Sequence, residues 1–175
     1  MRHVISALVN NQPGVLSRVV ALFTGRGFNI ESLNVAETLD PTISRLTLVT
    51  TGSNEIIEQI IKQLNKLVDI IKVMDLTGTE YVDREMALIK VTADLTARAE
   101  ILRIVDIFHA QVVDVAPKHY TVEITGDEKK IQAFVDLLVS FGIIEIVRTG
   151  KVAISRWRRE GPATGGENAP KESQN

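Results

Sequence analysis

The feature that most limits the fold of this chain is a pattern of strands and helices that occurs twice. In the first half, apolar runs and alternating apolar residues predict four strands, at 4–9, 30–37, 43–50 and 70–76. Apolar residues at helical spacing predict one helix after the first strand and another after the third. The second half repeats this order, with strands predicted at 86–91, 112–115, 120–125 and 143–147. The sequence therefore predicts two β-α-β-β-α-β units.

A β-α-β-β-α-β unit folds into a four-stranded antiparallel sheet with both helices on one face. The predicted fold class is therefore α+β, with two tandem ferredoxin-like domains over residues 1–77 and 84–159. Residues 160–175 are predicted to form a disordered tail, because 161–175 hold no Val, Ile, Leu, Met or aromatic side chain. We expect the helix-free sheet face and the edge strands to stay open to a partner, so that edge pairing of two copies gives a dimer.

Composition narrows the possible functions. The 175 residues carry 20 Lys and Arg against 22 Asp and Glu, a net charge of -2, which disfavours a nucleic-acid binder. The predicted strands also lack the aromatic side chains on which an RNA-binding sheet stacks bases. Cysteine is absent, no apolar run approaches about 18 residues, and the first residues lack a signal-peptide pattern. We therefore expect a cytoplasmic protein that contacts neither nucleic acid nor membrane.

No motif in the sequence predicts a catalytic or metal site. His3, His109 and His119 lack the spacing of metal ligands. The serines stand in no G-x-S-x-G context, and neither G-x-G-x-x-G nor a P-loop motif occurs. A small enzyme on a ferredoxin-like scaffold, such as a phosphatase, is therefore disfavoured.

The most informative segment lies between the first strand and the first helix. The first N–H groups of a helix lack partners within it, and the positive end of the helix dipole lies there, so they can bind a carboxylate. Gly14 has no Cβ and lets a ligand approach these groups, while the side-chain oxygen of Asn11 can accept from an ammonium group. Such a loop can hold a free amino acid by both ends. Alternatively, Asn11 is only a helix cap and Pro13-Gly14 only a turn.

A second candidate segment leads into the strand expected at the sheet edge. If two copies pair there, Asn29 and Ile30 of one copy come near the Asn11 loop of the other. Asn29 then adds a polar contact, and Ile30 an apolar wall for a branched side chain. The alternative is that Asn29 only accommodates a left-handed turn after the helix.

Four segments together resemble a known family. Residues 2–19 are similar to the start of an ACT domain, and residues 28–33, 40–45 and 83–91 extend the match. More narrowly, they resemble the small regulatory subunit of acetohydroxyacid synthase, also called acetolactate synthase. The resemblance spans about residues 1–159.

The resemblance implies a role in the synthesis of valine, leucine and isoleucine. In this family the small subunit has no catalytic activity of its own and binds a large catalytic subunit, which uses thiamine diphosphate, Mg and FAD. It raises the activity of that subunit and confers feedback inhibition by valine or a related amino acid. The chain itself is expected to hold no cofactor and no metal.

The resemblance also implies where the effector binds, namely between the ACT domains of two copies. Asn11, Gly14, Val15 and Leu16 would come from one copy, and Asn29 and Ile30 from the other. One departure is Asn10, where Glu is common in the family; it removes a charge from the loop.

A different class of function stays open from the sequence. A free-standing ACT protein can sense an amino acid and regulate another enzyme or transcription. The chain shows no helix-turn-helix, and its negative net charge also disfavours the transcriptional version.

Overall fold

The computed structural model describes residues 1–156. Residues 157–159 of the second predicted domain and the predicted tail at 160–175 lie outside the described residues. The first unit contains β1 (Arg2–Asn10), α1 (Val15–Thr24), β2 (Ile30–Glu37), β3 (Ile43–Thr51), α2 (Asn54–Leu64) and β4 (Ile70–Asp75). The second contains β5 (Tyr81–Thr92), α3 (Arg98–Ile107), β6 (Gln111–Val115), β7 (His119–Gly126), α4 (Glu128–Leu138), β8 (Ile143–Arg148) and β9 (Val152–Ser155).

The first unit is an antiparallel sheet in the order β2-β3-β1-β4, with both helices on one face. Alternate residues of β1 and β3 point to that face, where Ile5 pairs with Leu48 and both are fully buried. The helices cover them with apolar stripes that include Val19, Phe23 and Ile60. Because β2 is the last strand on its side, one of its backbone edges has no neighbour within the described chain.

The second unit has the same arrangement, with the strand order β6-β7-β5-β8 and both helices on one face. Its core joins the inward residues of β5 and β7, such as Ile89 and Val122, to Phe134 of α4. The rings of Phe108 and Phe134 lie 5.3 Å apart. The two sheets confirm the predicted α+β fold of two ferredoxin-like units. Within residues 1–156, none of the helices is both long and apolar enough to cross a bilayer.

Two parts of the strand prediction are wrong. The connecting segment at 77–83 is shorter than predicted, because β5 begins at Tyr81 and runs for 12 residues. Its first four residues pair with β9, which was not among the predicted strands. A four-residue strand at Val152–Ser155 carries too little alternation to be recognised alone, and its pairing partner lies about 70 positions earlier in the chain.

This additional strand covers part of the sheet face that was expected to stay open. Ala153 of β9 packs with Val4, Val49 and Leu76 in a small apolar cluster, and all four are at least 93% buried. Val4 and Val49 are neighbours on β1 and β3, on the face opposite the helices. The expectation of an open face is therefore wrong for this region, since the apolar side chains on it are covered by the second unit.

Charged groups also join the two units, and we call five of them the charge network: Arg2, Glu31, Asp83, Glu128 and Lys151. Arg2 Nε lies 2.6 Å from Glu31 in its own unit, and its guanidinium also binds Glu128 at the start of α4. Lys151 lies 2.7 Å from Asp83 and 3.6 Å from Glu128. The hydrogen bond from Arg2 is the main cause that lowers the pKa of Glu128 below its ordinary value of 4.5.

We predict that Glu128→Gln lowers the melting temperature at pH 7 and that this deficit shrinks in acid. A carboxylate with a lowered pKa stabilises the fold above its unfolded-state pKa, and the contribution is lost as pH falls through the folded-state pKa. Because both side chains are 41% exposed, we expect an effect of about 1 kcal/mol or less. Melting curves from pH 7 to pH 3 test this, with Glu145→Gln as the control. A deficit that stays constant over this range contradicts the prediction.

The turn between β8 and β9 approaches the first sheet too closely for a side chain. Gly150 has φ +77°, and a Cβ placed on it would lie 2.7 Å from the Cβ of Ser32. Only glycine fits both the left-handed conformation and the space.

We predict that Gly150→Ala lowers the free energy of unfolding by about 1–3 kcal/mol, because it combines backbone strain with a steric clash. Gly78→Ala is the matched control, since an added Cβ there meets nothing within 4 Å. Urea denaturation of the three proteins measures the difference. Equal stability of the two variants would show that the turn is not packed against Ser32.

Candidate functional site

The loop between β1 and α1 is held at both of its sides by backbone hydrogen bonds. Asn10 N donates to Asp69 O at 2.8 Å, and Asn11 N donates to Thr42 O at 2.7 Å. These contacts join the loop to the turn before β4 and to the turn between β2 and β3. The loop therefore has a fixed position at one end of the sheet.

Gly14 starts helix α1 in a left-handed conformation, with φ 85°, and no side chain of the part of the chain that the structure describes caps the helix. The alternative that Asn11 serves as the cap is therefore wrong. Val15 N donates to Gln12 O at 3.3 Å, whereas the N–H groups of Gly14, Leu16 and Ser17 have no acceptor within residues 1–156. Three unpaired donors thus lie at the positive end of the helix dipole. Such an arrangement can bind a carboxylate.

A cation lies beside these donors. The guanidinium of Arg18 lies 3.8 Å from the position that a Cβ on Gly14 would take. Its other terminal nitrogen forms an ion pair of 2.6 Å with Asp69. The anchored guanidinium therefore stays close to the start of α1, with its charge balanced by Asp69.

On the opposite side of the loop the polarity reverses. The Asn11 side-chain amide donates to Glu37 Oε1 and to Pro41 O, both at 2.9 Å. Both partners are acceptors, so the nitrogen must face them, and Oδ1 has no donor within the described residues. Asn11 Oδ1 and the Glu37 carboxylate can therefore accept hydrogen bonds from an ammonium group.

Beside Asn11 lies a small cavity of about 60 Å³ with a mixed lining, whose polar members are Asn10, Asn11, Gln12 and Ser44. Its walls include Val9, Val19, Val35 and Leu46 together with the exposed Leu16. Val15 also borders the cavity, but its side chain is only 3% exposed and belongs to the core of the unit. Its N–H is also bound, to Gln12 O, so Leu16 presents the first exposed side chain of the helix.

The structure does not bring Asn29 and Ile30 to this loop within one chain. They lie at the start of β2, whereas Glu37, which contacts Asn11, lies at its end, about 23 Å away along an eight-residue strand. Asn29 is not left-handed, since Gly27 takes the positive φ of 70°, and Asn29 O accepts from Thr50 Oγ1 at 2.6 Å. The alternative explanation for Asn29 is therefore wrong.

An edge strand that pairs antiparallel with its own copy brings opposite ends together. If β2 pairs about its centre, Ile30 of one copy lies opposite Glu37 of the other. The two groups of predicted site residues would then lie next to each other across a twofold axis.

The corresponding loop of the second unit, between β5 and α3, is closed by its own side chain. Asp94 accepts hydrogen bonds from Thr96 N at 3.1 Å and from Ala97 N at 2.9 Å. The Thr96 hydroxyl also donates to this carboxylate, and these bonds lower the pKa of Asp94. The Asp94 carboxylate thus stabilises the turn that precedes α3.

Sequence reasoning missed three groups at the site: the Ser17 amide, Arg18 and Glu37. Counting the first N–H groups of the helix could have identified Ser17. The positions of Arg18 and Glu37 depend on Asp69 and Asn11, which are distant in the sequence, so no local signal predicts them. Within residues 1–156, no cluster of three or more His, Asp or Glu side chains has the arrangement of a metal site.

Family models match both units of the chain. A model described as an AHAS small subunit-like ACT domain matches residues 5–72, and one described as the small subunit of acetolactate synthase matches residues 84–157. The chain belongs to the acetolactate synthase small-subunit family. It is a regulatory ACT-domain subunit in branched-chain amino acid synthesis, and the catalytic activity is on the large subunit.

Individual relatives agree with the family models. An acetolactate synthase small subunit from Aquifex aeolicus is 52% identical over 156 residues, which cover 89% of this chain and 81% of the relative. One from Haemophilus influenzae is 49% identical and covers 89% and 96% of the two chains. The crystal structure of the small subunit from Thermotoga maritima superposes with a TM-score of 0.84 at 43% identity, covering 91% of this chain and 99% of that chain. The small-subunit architecture therefore applies to both units.

We predict that Asp94→Ala lowers the melting temperature of this small subunit, whereas Asp94→Asn keeps it close to that of the wild type. Alanine leaves the Thr96 amide without an acceptor and the Ala97 amide with only the backbone oxygen of residue 94, at 3.2 Å, but asparagine caps a helix about as well as aspartate. Thermal melts at pH 7 and amide hydrogen exchange at these two positions measure the effect. Equal melting temperatures for the alanine and asparagine variants contradict the capping role.

Proposed function

We propose that this small subunit binds valine, or a related branched-chain amino acid, between the ACT domains of two copies and thereby regulates the catalytic subunit. The observation that carries the proposal is the polarity of the loop at Asn11–Ser17. Unpaired N–H groups and Arg18 lie on one side of it, and Asn11 Oδ1 and Glu37 lie on the other. A zwitterionic amino acid has the complementary arrangement of charges.

In this proposal each pocket takes residues from two protomers. The N–H groups of Gly14, Leu16 and Ser17 bind the carboxylate of the effector. Asn11 from the same protomer and Asn29 from the other bind its ammonium group. The cavity beside Leu16 takes the branched side chain, and Ile30 of the second protomer completes its wall. The open edge of β2 supports this assignment, because antiparallel pairing of two copies along it would bring all of these residues to one seam.

The unit with the free loop, over residues 1–77, acts as the effector domain, and the unit over 84–159 does not bind a second effector molecule. The match of the ACT-domain model to residues 5–72, and of a different model to residues 84–157, supports this division. We therefore expect one effector molecule for each chain.

The proposal includes the other components of the complex. The partner is the large catalytic subunit, which holds thiamine diphosphate, Mg and FAD, while this chain holds none of them. The small subunit raises the activity of the large subunit, and the effector lowers it again. The complex acts in the cytoplasm, where it meets the free amino acid that the pathway produces.

Regulation requires that the effector binds one state of the complex more tightly than another. A coupling free energy of about 1–3 kcal/mol is typical and corresponds to a change of about 5–150-fold in affinity. Because two protomers share each pocket, the effector can favour one geometry of the seam between them.

Reconstitution with the large subunit tests this function. Activity is measured for the large subunit alone, with the small subunit, and with the small subunit and valine. We expect stimulation by the small subunit and inhibition of the complex by valine. If the two chains do not associate, the chain is instead a free-standing ACT sensor.

We predict that Gly14→Asp abolishes valine inhibition and keeps the stimulation of the large subunit. The new carboxylate lies where the carboxylate of the effector would bind. Electrostatic repulsion between the two negative charges then weakens effector binding. Gly78→Asp is the matched control, because it adds the same charge at an exposed glycine outside the loop. Calorimetry with valine measures affinity directly. Unchanged affinity in the Gly14→Asp variant would exclude this pocket.

A further inference from the structure

Strand β2 contacts the second unit of its own chain and, in the proposed dimer, the β2 strand of the other protomer. One of its edges is the proposed seam between protomers, and one of its faces touches the second unit of the same chain. Asn34 Nδ2 donates to Thr149 O at 2.7 Å, in the turn between β8 and β9. The next residue of that turn, Gly150, lies against Ser32. One strand thus carries proposed effector residues and contacts the second unit directly.

The contact at Ser32 is tight. A Cβ on Gly150 would lie 2.7 Å from Ser32 Cβ and 3.2 Å from Ser32 Oγ. The Ser32 hydroxyl is buried and has no hydrogen-bond partner within the described residues. Gly150 therefore packs closely against Ser32, and a shift of β2 away from the turn breaks the Asn34 hydrogen bond.

The charge network joins the same two parts of the structure. Glu31 follows Ile30 directly on β2, and its carboxylate lies 2.6 Å from Arg2 Nε. Arg2 also binds Glu128 of the second unit, which Lys151 approaches to 3.6 Å. These groups border a cavity of about 400 Å³ between the units. Every charged side chain that borders this cavity already has an oppositely charged partner, so the cavity offers no unpaired charge to a ligand.

A further, apolar contact between the units involves the central strands of the first sheet. Ala153 of β9 packs on Val4 and Val49, which belong to the central strands β1 and β3. Central strands are held on both sides by neighbours, and neither of them carries Asn29 or Ile30. Movement of the effector strand therefore reaches the second unit most directly through Glu31, Ser32 and Asn34.

We propose that the turn at Arg148–Lys151 responds to the position of β2 and transmits effector binding from the ACT seam to the second unit. This inference rests on the proposed function, since it concerns the response to an effector at that seam. The contacts of Asn34 with Thr149 and of Ser32 with Gly150 couple the two, and the charge network adds to them. Effector binding that changes the pairing of β2 then changes the strain on the turn.

Hydrogen exchange on the full chain tests the inference without the large subunit. Valine binding is first confirmed by calorimetry; if the wild type does not bind valine, the proposed function fails and this inference fails with it. If valine binds, we expect exchange to change both in β2 and in the peptide covering Arg148–Lys151. A change in β2 with none at the turn overturns the inference and leaves the proposed function intact.

A variant provides the second test. Asn34→Ala combined with Glu128→Gln removes the hydrogen bond to Thr149 and the ion pair with Arg2. In the reconstituted complex we expect the valine concentration for half-inhibition to rise at least about fivefold, the lower limit of typical allosteric coupling. Valine affinity of the isolated small subunit should stay within about twofold of the wild type.

Glu145→Gln is the matched control for this variant. It also removes a carboxylate from an exposed ion pair, with Lys90 at 3.1 Å, on the second sheet and outside the contact with β2. We expect the control to keep wild-type inhibition by valine. If the double variant also keeps it, the turn does not transmit the signal and the inference is wrong.

Discussion

The proposed site depends on a few peptide N–H groups at the start of α1 that have no acceptor within residues 1–156. Gly14 begins the helix with no side chain, and no side chain of the described residues caps it. An exposed helix start of this kind is satisfied by water until a ligand replaces it. The unpaired amides and the oriented Asn11 then give the loop opposite polarity on its two sides. Amino-acid recognition in the proposed function follows from that polarity.

The two units have the same strand order but different loops between the first strand and the first helix. In the second unit the Asp94 carboxylate accepts from the amides of Thr96 and Ala97 and stabilises the turn before α3. In the first unit backbone hydrogen bonds from Asn10 and Asn11 hold the loop. Corresponding loops of one fold are therefore fixed in two different ways.

The sequence was sufficient for the features that depend on local periodicity. The β-α-β-β-α-β order, the limits of β2 at Ile30 and Glu37, and the loop at Asn11–Gly14 follow from apolar spacing and turn residues. Features that depend on distant pairing were not predictable. β9, the orientation of Asn11 toward Glu37, and the ion pairs of Arg2 require knowledge of which segments meet in space. Of these, β9 also covers part of the sheet face that was expected to stay open.

The position of β2 at the edge of its sheet has a consequence for how such a regulator behaves in the cell. Under the proposed arrangement a lone protomer holds only half of each pocket, with Asn11 and Asn29 at opposite ends of the strand. Effector binding and dimerisation are then thermodynamically coupled. The effector stabilises the dimer, and dimerisation raises the affinity for the effector. The sensitivity of the pathway to its end product would rise with the abundance of this subunit, and dilution alone would weaken it.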